Sequence, residues 1–276
     1  MAVKMLSYID RASPIQRMTG AAKLIGLVFW SVTGMVTYDT RILLFMFVAG
    51  WLLFVLAKVK LHEIRFVLAF ILVFLLMNDL AIYAFAPQQG TLIYGTRHVL
   101  LDLPGWYSMT TEQLFYELNI TLKYFVVIPF VLVFIVSTQP SEFAASLNKL
   151  GVNYRIAYAV SITLRYIPDV QREYREIALA QQSRGVDLSR KARLGQRIRR
   201  ASTILLPLVF SSLDRIETIS NGMELRGFGK KKKRTWYSGR SFAAIDYIVI
   251  VFSSVVFLGV LLLTLHQGSR YYNPFR

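Results

Sequence analysis

The chain has 276 residues, of which 55% are hydrophobic and 17% are charged, and its formal net charge is +16. Because soluble domains carry about 25% charged residues and the basic residues here flank apolar segments, the composition argues against a water-soluble fold and against nucleic-acid binding. The chain has no cysteine and only three scattered histidines. This excludes disulfides and leaves no metal-ligand spacing, so we expect no metal and no cofactor.

Long apolar segments predict membrane-spanning helices. About 20 apolar residues suffice to cross a bilayer, and a helix satisfies its own backbone groups there. We predict five spans, at residues 20–38, 42–58, 64–85, 119–138 and 242–266. The predicted fold class is an all-α integral membrane protein with about five transmembrane helices and a cytoplasmic or membrane-surface domain of amphipathic helices.

The distribution of Lys and Arg predicts the orientation. Three basic residues precede the first span, Lys23 lies in its first turn, and twenty lie between residues 139 and 240, whereas the loop between the third and fourth spans carries only Arg97. Basic residues concentrate on the cytoplasmic side of membrane proteins. We therefore expect a multi-pass protein of the cell membrane, with a cytoplasmic N-terminus and, after five spans, a C-terminus outside.

Three regions follow from this interpretation. Residues 1–138 form a membrane domain of four spans, residues 139–240 a cytoplasmic domain, and residues 241–276 the last span with its tail. The cytoplasmic region is too long for a linker and has helical periodicity, with Pro168 expected to break one helix. Alternatively, residues 154–167 and 201–213 enter the membrane as a pair of half-spans. The run KKKKR before the last span is expected to stay cytoplasmic beside anionic lipid.

Two amphipathic helices of the cytoplasmic region end on the same pair of residues, Arg-Gly. The first Arg-Gly end is Ser183, Arg184 and Gly185; the second is Leu225, Arg226 and Gly227. The second helix also carries apolar residues on one face, here called the apolar stripe: Leu205, Val209, Ile216, Ile219 and Met223.

Either Arg-Gly end alone is ordinary helix termination. An arginine interacts favourably with the negative end of the helix dipole, and a glycine relieves backbone strain at the stop. The pair is more informative, because an arginine presents five donors in a rigid fork and often anchors an interface. Two similar arginine-tipped helices suit a partner with two similar sockets, such as a dimeric ATPase.

The chain resembles the transmembrane T component of energy-coupling factor transporters, the vitamin and metal uptake branch of ABC importers. The resemblance covers nearly the whole chain and is strongest in LRYIP (164–168), AQQSRG (180–185) and GMELRGFG (222–229). The opening SPIQRMTGAAKLI is similar to the start of the family pattern, with Gln16 where the family has His. Leu225 stands where the family most often has Ala.

The resemblance implies a non-catalytic coupling subunit and not an enzyme. Both Arg-Gly ends would dock in grooves of two ABC-type ATPase subunits, with Arg184 and Arg226 as the central residues. The apolar stripe would grip a membrane substrate-binding S component, and its movement would deliver a vitamin or another micronutrient. The chain itself has no Gly-rich Gly-Lys-Ser/Thr loop to hold ATP phosphates.

Two other functions stay open at this stage. A membrane-embedded enzyme acting on lipid needs clustered acidic or histidine side chains at a membrane face, and the sequence shows no such cluster. A stand-alone secondary transporter often carries internal repeats, and the only repetition here is the two short Arg-Gly ends.

Among the charged residues within predicted spans, Asp79 lies in the third and Lys123 in the fourth. Charges within a membrane are costly and are usually paired or functional. Counted from the outer boundaries, both lie at a depth of roughly 8–10 Å. We therefore predict that they form a structural ion pair.

Overall fold

The structure is a computed structural model that describes residues 13–101, 107–186, 194–231, 234–237 and 239–275. The described residues are predominantly helical and include one short strand pair, which confirms the all-α fold class. The elements in chain order are α1 (Pro14–Arg17), α2 (Gly20–Val36), α3 (Thr40–Leu56), α4 (Leu61–Phe85), α5 (Gln89–Tyr94), β1 (Val99–Leu101), β2 (Met109–Thr110), α6 (Thr111–Ser137), α7 (Pro140–Lys149), α8 (Tyr154–Ser183), α9 (Leu194–Leu225) and α10 (Ala244–Gln267).

The described residues divide into two compact units, which we describe separately. The first unit contains the chain up to Gln139 and again from Arg240 onward, with α1 to α6 and α10. The second unit runs from Pro140 to Gly239 and contains α7, α8 and α9.

Three helices of the first unit are long and apolar enough to cross a membrane: Ile64–Phe85, Thr111–Ser137 and Ala244–His266. Gly20–Val36 and Thr40–Leu56 are apolar but shorter, at 17 residues each. A 17-residue helix reaches about 25 Å, the lower limit for a span. The chain is therefore a membrane protein with three clear spanning candidates, and crossing by the two shorter helices stays a prediction.

The fourth predicted span begins earlier in the structure than the sequence indicated. We expected it to start at residue 119, but α6 starts at Thr111. The side chain of Thr110 accepts a hydrogen bond from the backbone amide of Gln113 at 3.2 Å and so caps the helix. Residues 111–118 are therefore the first, amphipathic turns of α6 and not part of a loop. Hydropathy alone does not distinguish these two cases.

The core of the first unit forms where α2 packs against α6 and α10, and where α3 packs against α6. Trp30 of α2 stacks on Phe130 of α6 with ring centroids 4.5 Å apart. Gly50 of α3 lies against Pro129 of α6, where an added Cβ would be 3.6 Å from the proline ring. By contrast, most side chains of α4 are exposed within the chain, as expected for a helix that faces lipid or another subunit.

Helices α2 and α10 run parallel. Near their starts, the backbone amide of Thr19 donates to the carboxylate of Asp246 at 2.8 Å. Past their ends, the backbone amide of Tyr38 donates to the carbonyl of Arg270 at 2.9 Å. We call these the near end and the far end of the first unit.

The segment around α1 is packed into the near end. Ile15 and Met18 are buried in the main apolar cluster of the unit. Lys23, in the first turn of α2, donates from its Nζ to the carbonyl of Ser137 at 2.9 Å. Because Ser137 is the last residue of α6, α6 runs opposite to α2 and α10. The opening motif of the sequence is therefore part of the core in this chain.

The far end is closed by the C-terminal tail. The Asn273 side chain donates to the carbonyl of Tyr94 at 2.9 Å, and the ring of Phe275 lies 5.7 Å from the Tyr94 ring. Burial raises the pKa of Tyr94 to about 12. The tail, α5 and the start of α6 thus form one packed layer.

The second unit is built on two long helices that pass through prolines. Helix α8 is continuous over 30 residues although it contains Pro168, and α9 contains Pro207. The expectation that Pro168 breaks a helix was wrong. A proline removes one backbone hydrogen bond and can bend a helix without ending it. Of the described residues, none in α8 or α9 belongs to a segment that meets the length and hydropathy of a span.

Candidate functional site

The first Arg-Gly end is a helix stop with a defined hydrogen-bond pattern. The backbone amide of Gly185 donates to the carbonyl of Gln182 at 3.0 Å, and that of Val186 donates to Gln181 at 3.0 Å. Gly185 has φ +84°, in the left-handed region. These are the two bonds of the Schellman motif, and Arg184 is its C-cap residue.

The second Arg-Gly end has the same pattern. The backbone amide of Gly227 donates to the carbonyl of Glu224 at 2.8 Å, and that of Phe228 donates to Met223 at 2.9 Å. Gly227 has φ +63°, so glycine is again the residue suited to the conformation. The expectation that glycine ends both helices is confirmed, and Arg226 occupies the same position in its motif as Arg184.

Both ends present their side chains outward. Ser183, Arg184 and Gly185 are exposed. Leu225 is 90% exposed, Arg226 is exposed and Gly227 is half-buried. Over the described part of the chain, neither guanidinium group makes a hydrogen bond or an ion pair, and both side chains are exposed.

The two ends point away from each other along an antiparallel helix pair. Glu173 of α8 pairs with Arg215 of α9 at 3.0 Å. Earlier in α8, the ring of Tyr154 lies 5.6 Å from that of Phe228, just after α9. The two helices are therefore antiparallel. Because each helix ends at its own arginine, Arg184 and Arg226 lie on opposite sides of the Glu173–Arg215 contact.

Two arginines brace the second end. Arg234 donates from its guanidinium to the carbonyls of Arg226 and Gly227, each at 2.9 Å, and Arg155 donates to the carbonyl of Gly229 at 2.8 Å. Cations near a helix C-terminus are favourable because carbonyls there lack helical partners. The expectation that KKKKR stays cytoplasmic beside anionic lipid did not include this capping role of its last residue, Arg234. Lys232 and Lys233 lie outside the described residues.

The apolar stripe is accessible within the second unit. Leu205, Val209 and Ile216 are more than half exposed, while Ile219 and Met223 are half-buried. Large apolar side chains in this arrangement are typical of a surface that meets lipid or another protein.

The structure does not bring Asp79 and Lys123 together. Oδ2 of Asp79 accepts a hydrogen bond from the Thr121 side chain at 2.8 Å. Nζ of Lys123 donates to the carbonyl of Met35 at 2.9 Å and lies 3.0 Å from the centre of the Tyr38 ring. Thr121 and Lys123 are two residues apart on α6 and so face different neighbours. The predicted ion pair is thus corrected: similar depth did not imply a shared face.

One buried carboxylate was not singled out from the sequence. Glu112 is fully buried, and its two oxygens accept from the backbone amide of His98 at 3.0 and 3.1 Å. Nδ1 of His98 lies 2.6 Å from the same carboxylate. This contact joins the loop after α5 to the first turn of α6. The sequence signal that could have indicated this contact is an acidic residue in the first turn of a helix, where the helix dipole favours a negative charge.

The chain is similar to known transport proteins. The chain matches the family model of cobalt transport protein, CbiQ, over residues 11–237. It is similar to proteins named energy-coupling factor transporter transmembrane protein EcfT. That of Exiguobacterium sibiricum is 28% identical over 272 residues, covering 95% of this chain and 96% of the relative. That of Listeria innocua is 27% identical over 238 residues, covering 83% of each.

A third relative of the same name, from Limosilactobacillus fermentum, is 37% identical over 112 residues, which is 40% of this chain and 41% of the relative. The family match includes α1 and both Arg-Gly ends. The chain therefore belongs to the cobalt transport protein (CbiQ) family, as a T component of the energy-coupling factor type.

Proposed function

We propose that this chain is the non-catalytic coupling subunit of an energy-coupling factor importer, and that Arg184 and Arg226 dock on two cytoplasmic ABC-type ATPase subunits. The observation that carries the proposal is the repetition of one exposed Schellman end, with arginine at its C-cap, on two different helices. A pair of related ATPase subunits offers two similar grooves, and two similar arginine tips match them.

The remaining residues of the two ends would shape each contact. Ser183 and Gly185 leave the first arginine surrounded by small side chains, whereas Leu225 adds a large exposed apolar group beside the second. An apolar neighbour strengthens an arginine contact by excluding water. The two ends would therefore bind in similar but unequal grooves.

The apolar stripe supports the second half of the proposal. Its three most exposed members, Leu205, Val209 and Ile216, lie on α9, the same helix that ends at Arg226. A membrane S component gripped by this face would be moved whenever closure of the ATPases pulls on the arginine. ATP hydrolysis then belongs to the partners, and the cargo, a vitamin or another micronutrient, is chosen by the S component.

The proposal is tested by purifying the tagged chain together with its partners. The double variant Arg184→Ala, Arg226→Ala should lose the ATPase chains that co-purify with the unmodified protein. A buried interface arginine contributes about 2 kcal/mol, or roughly 30-fold in affinity, when truncated. The matched control is Arg175→Ala, which removes an exposed arginine from the second half of α8.

Uptake is measured in the same strains with labelled riboflavin, biotin and Co²⁺. We expect the double variant to reach the membrane in normal amount and to lose uptake, while Arg175→Ala retains it. Full uptake by the double variant would remove the docking model. Transport by the purified chain in vesicles without any other protein would instead favour a stand-alone transporter.

A further inference from the structure

The contact between α8 and α9 includes one carboxylate that binds two polar side chains. Oε2 of Glu173 accepts from the guanidinium of Arg215 at 3.0 Å, and Oε1 of Glu173 accepts from the hydroxyl of Ser211. Ser211 and Arg215 are four residues apart, one turn of α9. The two oxygens of one carboxylate therefore bind two successive turns of the facing helix.

This contact is more sheltered than the other ion pair of α8. The side chains of Glu173 and Arg215 are 17% and 35% exposed, whereas those of Asp169 and Arg172 are 38% and 71% exposed and lie 3.5 Å apart. Exposed pairs contribute little, but a partly buried carboxylate with two partners resists being moved, because displacement leaves it unpaired. The Glu173 contact thus distinguishes one register of α8 against α9 from the next.

The same contact is placed symmetrically with respect to the arginine tips. Arg184 follows Glu173 by 11 residues, and Arg226 follows Arg215 by 11 residues. Eleven residues are close to three helical turns and about 16 Å of axis. Pro168 and Pro207 both precede these 11-residue intervals. Neither of the two helix segments between the Glu173–Arg215 contact and its terminal arginine, here called the arms, therefore contains a proline.

From these observations we propose that Glu173 is a positioning residue: held by Ser211 and Arg215, it sets the register of α8 against α9 at the midpoint between Arg184 and Arg226. It thereby sets the separation of the two tips. If α8 slid along α9 by one helical turn, the distance between the two terminal arginines would change by about 5.4 Å. The consequence for coupling rests on the proposed function, but the register itself does not.

Because the chain has no cysteine, the register can be measured directly. Spin labels are attached to cysteines replacing Gln182 and Glu224, two exposed residues that each precede a tip arginine by two positions. Pulsed electron resonance on the full chain in lipid nanodiscs should give one narrow distance of about 30 Å. Glu173→Ala should broaden or shift this distance, and the swap Glu173→Arg, Arg215→Glu should restore it.

The control variant is Arg172→Ala, which removes the exposed pair on the same helix. An unchanged label distance in Glu173→Ala overturns the proposal. Equal broadening of the distance distribution in Arg172→Ala also overturns it, because the effect would then not be specific to the Glu173 contact. If the single variants prove too unstable to purify, failure of the swap to restore both expression and the narrow distance overturns it as well.

A second readout separates this inference from the proposed function. In the co-purification assay, Glu173→Ala should lower the recovered ATPase about tenfold, and the swap should recover it, as expected for a coupling energy near 1.4 kcal/mol. Absence of ATPase with the unmodified chain would refute the proposed function and leave the distance result standing. ATPase recovered equally with every Glu173 variant, at an unchanged distance, would refute the inference alone.

Discussion

Asp246 accepts a hydrogen bond from the backbone amide of Thr19 at 2.8 Å, although 227 residues separate the two in sequence. The other oxygen of the fully buried Asp246 carboxylate accepts from the backbone amide of Ala243, also at 2.8 Å. One side chain therefore caps α10 and ties its start to the start of α2. The apparent lone charge of the last span is a structural connection at the near end.

Replacing this side chain should destabilise the first unit. Asp246→Ala removes two side-chain hydrogen bonds and leaves the buried amide of Thr19 and the partly buried amide of Ala243 unpaired, at a cost of about 3 kcal/mol. The measurement is the free energy of unfolding in mixed micelles with increasing dodecyl sulfate. Asp214→Ala, which removes an exposed carboxylate of α9, is the control. Equal stability of both variants would show that the Thr19 contact contributes nothing.

Asp79 and Lys123 should act independently. Since Asp79 bonds to Thr121 and Lys123 to Met35, the effects of Asp79→Asn and Lys123→Met on unfolding free energy should add within about 0.5 kcal/mol in the double variant. The charge swap Asp79→Lys, Lys123→Asp should give no rescue, because each side chain then faces the wrong partner. A coupling energy above about 1 kcal/mol would restore the ion-pair hypothesis.

Gly90 is a position where a side chain does not fit. A Cβ there would lie 2.4 Å from the carbonyl oxygen of Glu112 and 2.5 Å from the amide nitrogen of Gln113, both backbone atoms of α6. Gly90→Ala should therefore destabilise the far end by about 1–3 kcal/mol. The helical Gly259 has nothing within 4 Å of its Cβ position, so Gly259→Ala should be neutral or stabilising by about 0.5–1 kcal/mol. The melting temperature of purified Gly90→Ala should fall, and that of Gly259→Ala should stay the same or rise.

Arg234 should control the local stability of the second Arg-Gly end. Arg234→Gln removes the bonds to the carbonyls of Arg226 and Gly227, which should speed amide hydrogen exchange of residues 225–229 about fivefold. Lys231→Gln, at an exposed neighbouring position, should leave the exchange unchanged. Similar exchange in both variants would mean that the cap is not formed in solution.

The side of the membrane that each region occupies is tested by labelling. A cysteine replacing the exposed Ser269, just beyond α10, should react with a membrane-impermeant maleimide in intact cells. A cysteine replacing Gln182 should react only after permeabilisation. Reaction of the Ser269 position only from the cytoplasmic side would refute the five-span orientation.

Local patterns carried the predictions that hold. Apolar length identified the three helices that are long enough to cross a membrane. Glycine in the left-handed region ended α8 and α9 at the Arg-Gly pairs. The candidate site could be named from sequence because its identity depends on residues within one helix turn. Pro168 was misjudged because a local rule gives the cost of a proline but not the support it receives from the rest of a 30-residue helix.

The sequence by itself determined that this is an all-helical membrane protein with two arginine-tipped amphipathic helices, because hydropathy, charge distribution and helix stops are properties of neighbouring residues. Only the tertiary structure decided the partners of Asp246, Lys123 and Glu173. Residue spacing sets the depth of a side chain along its helix, but the direction in which it points relative to other helices follows from how all of them pack together.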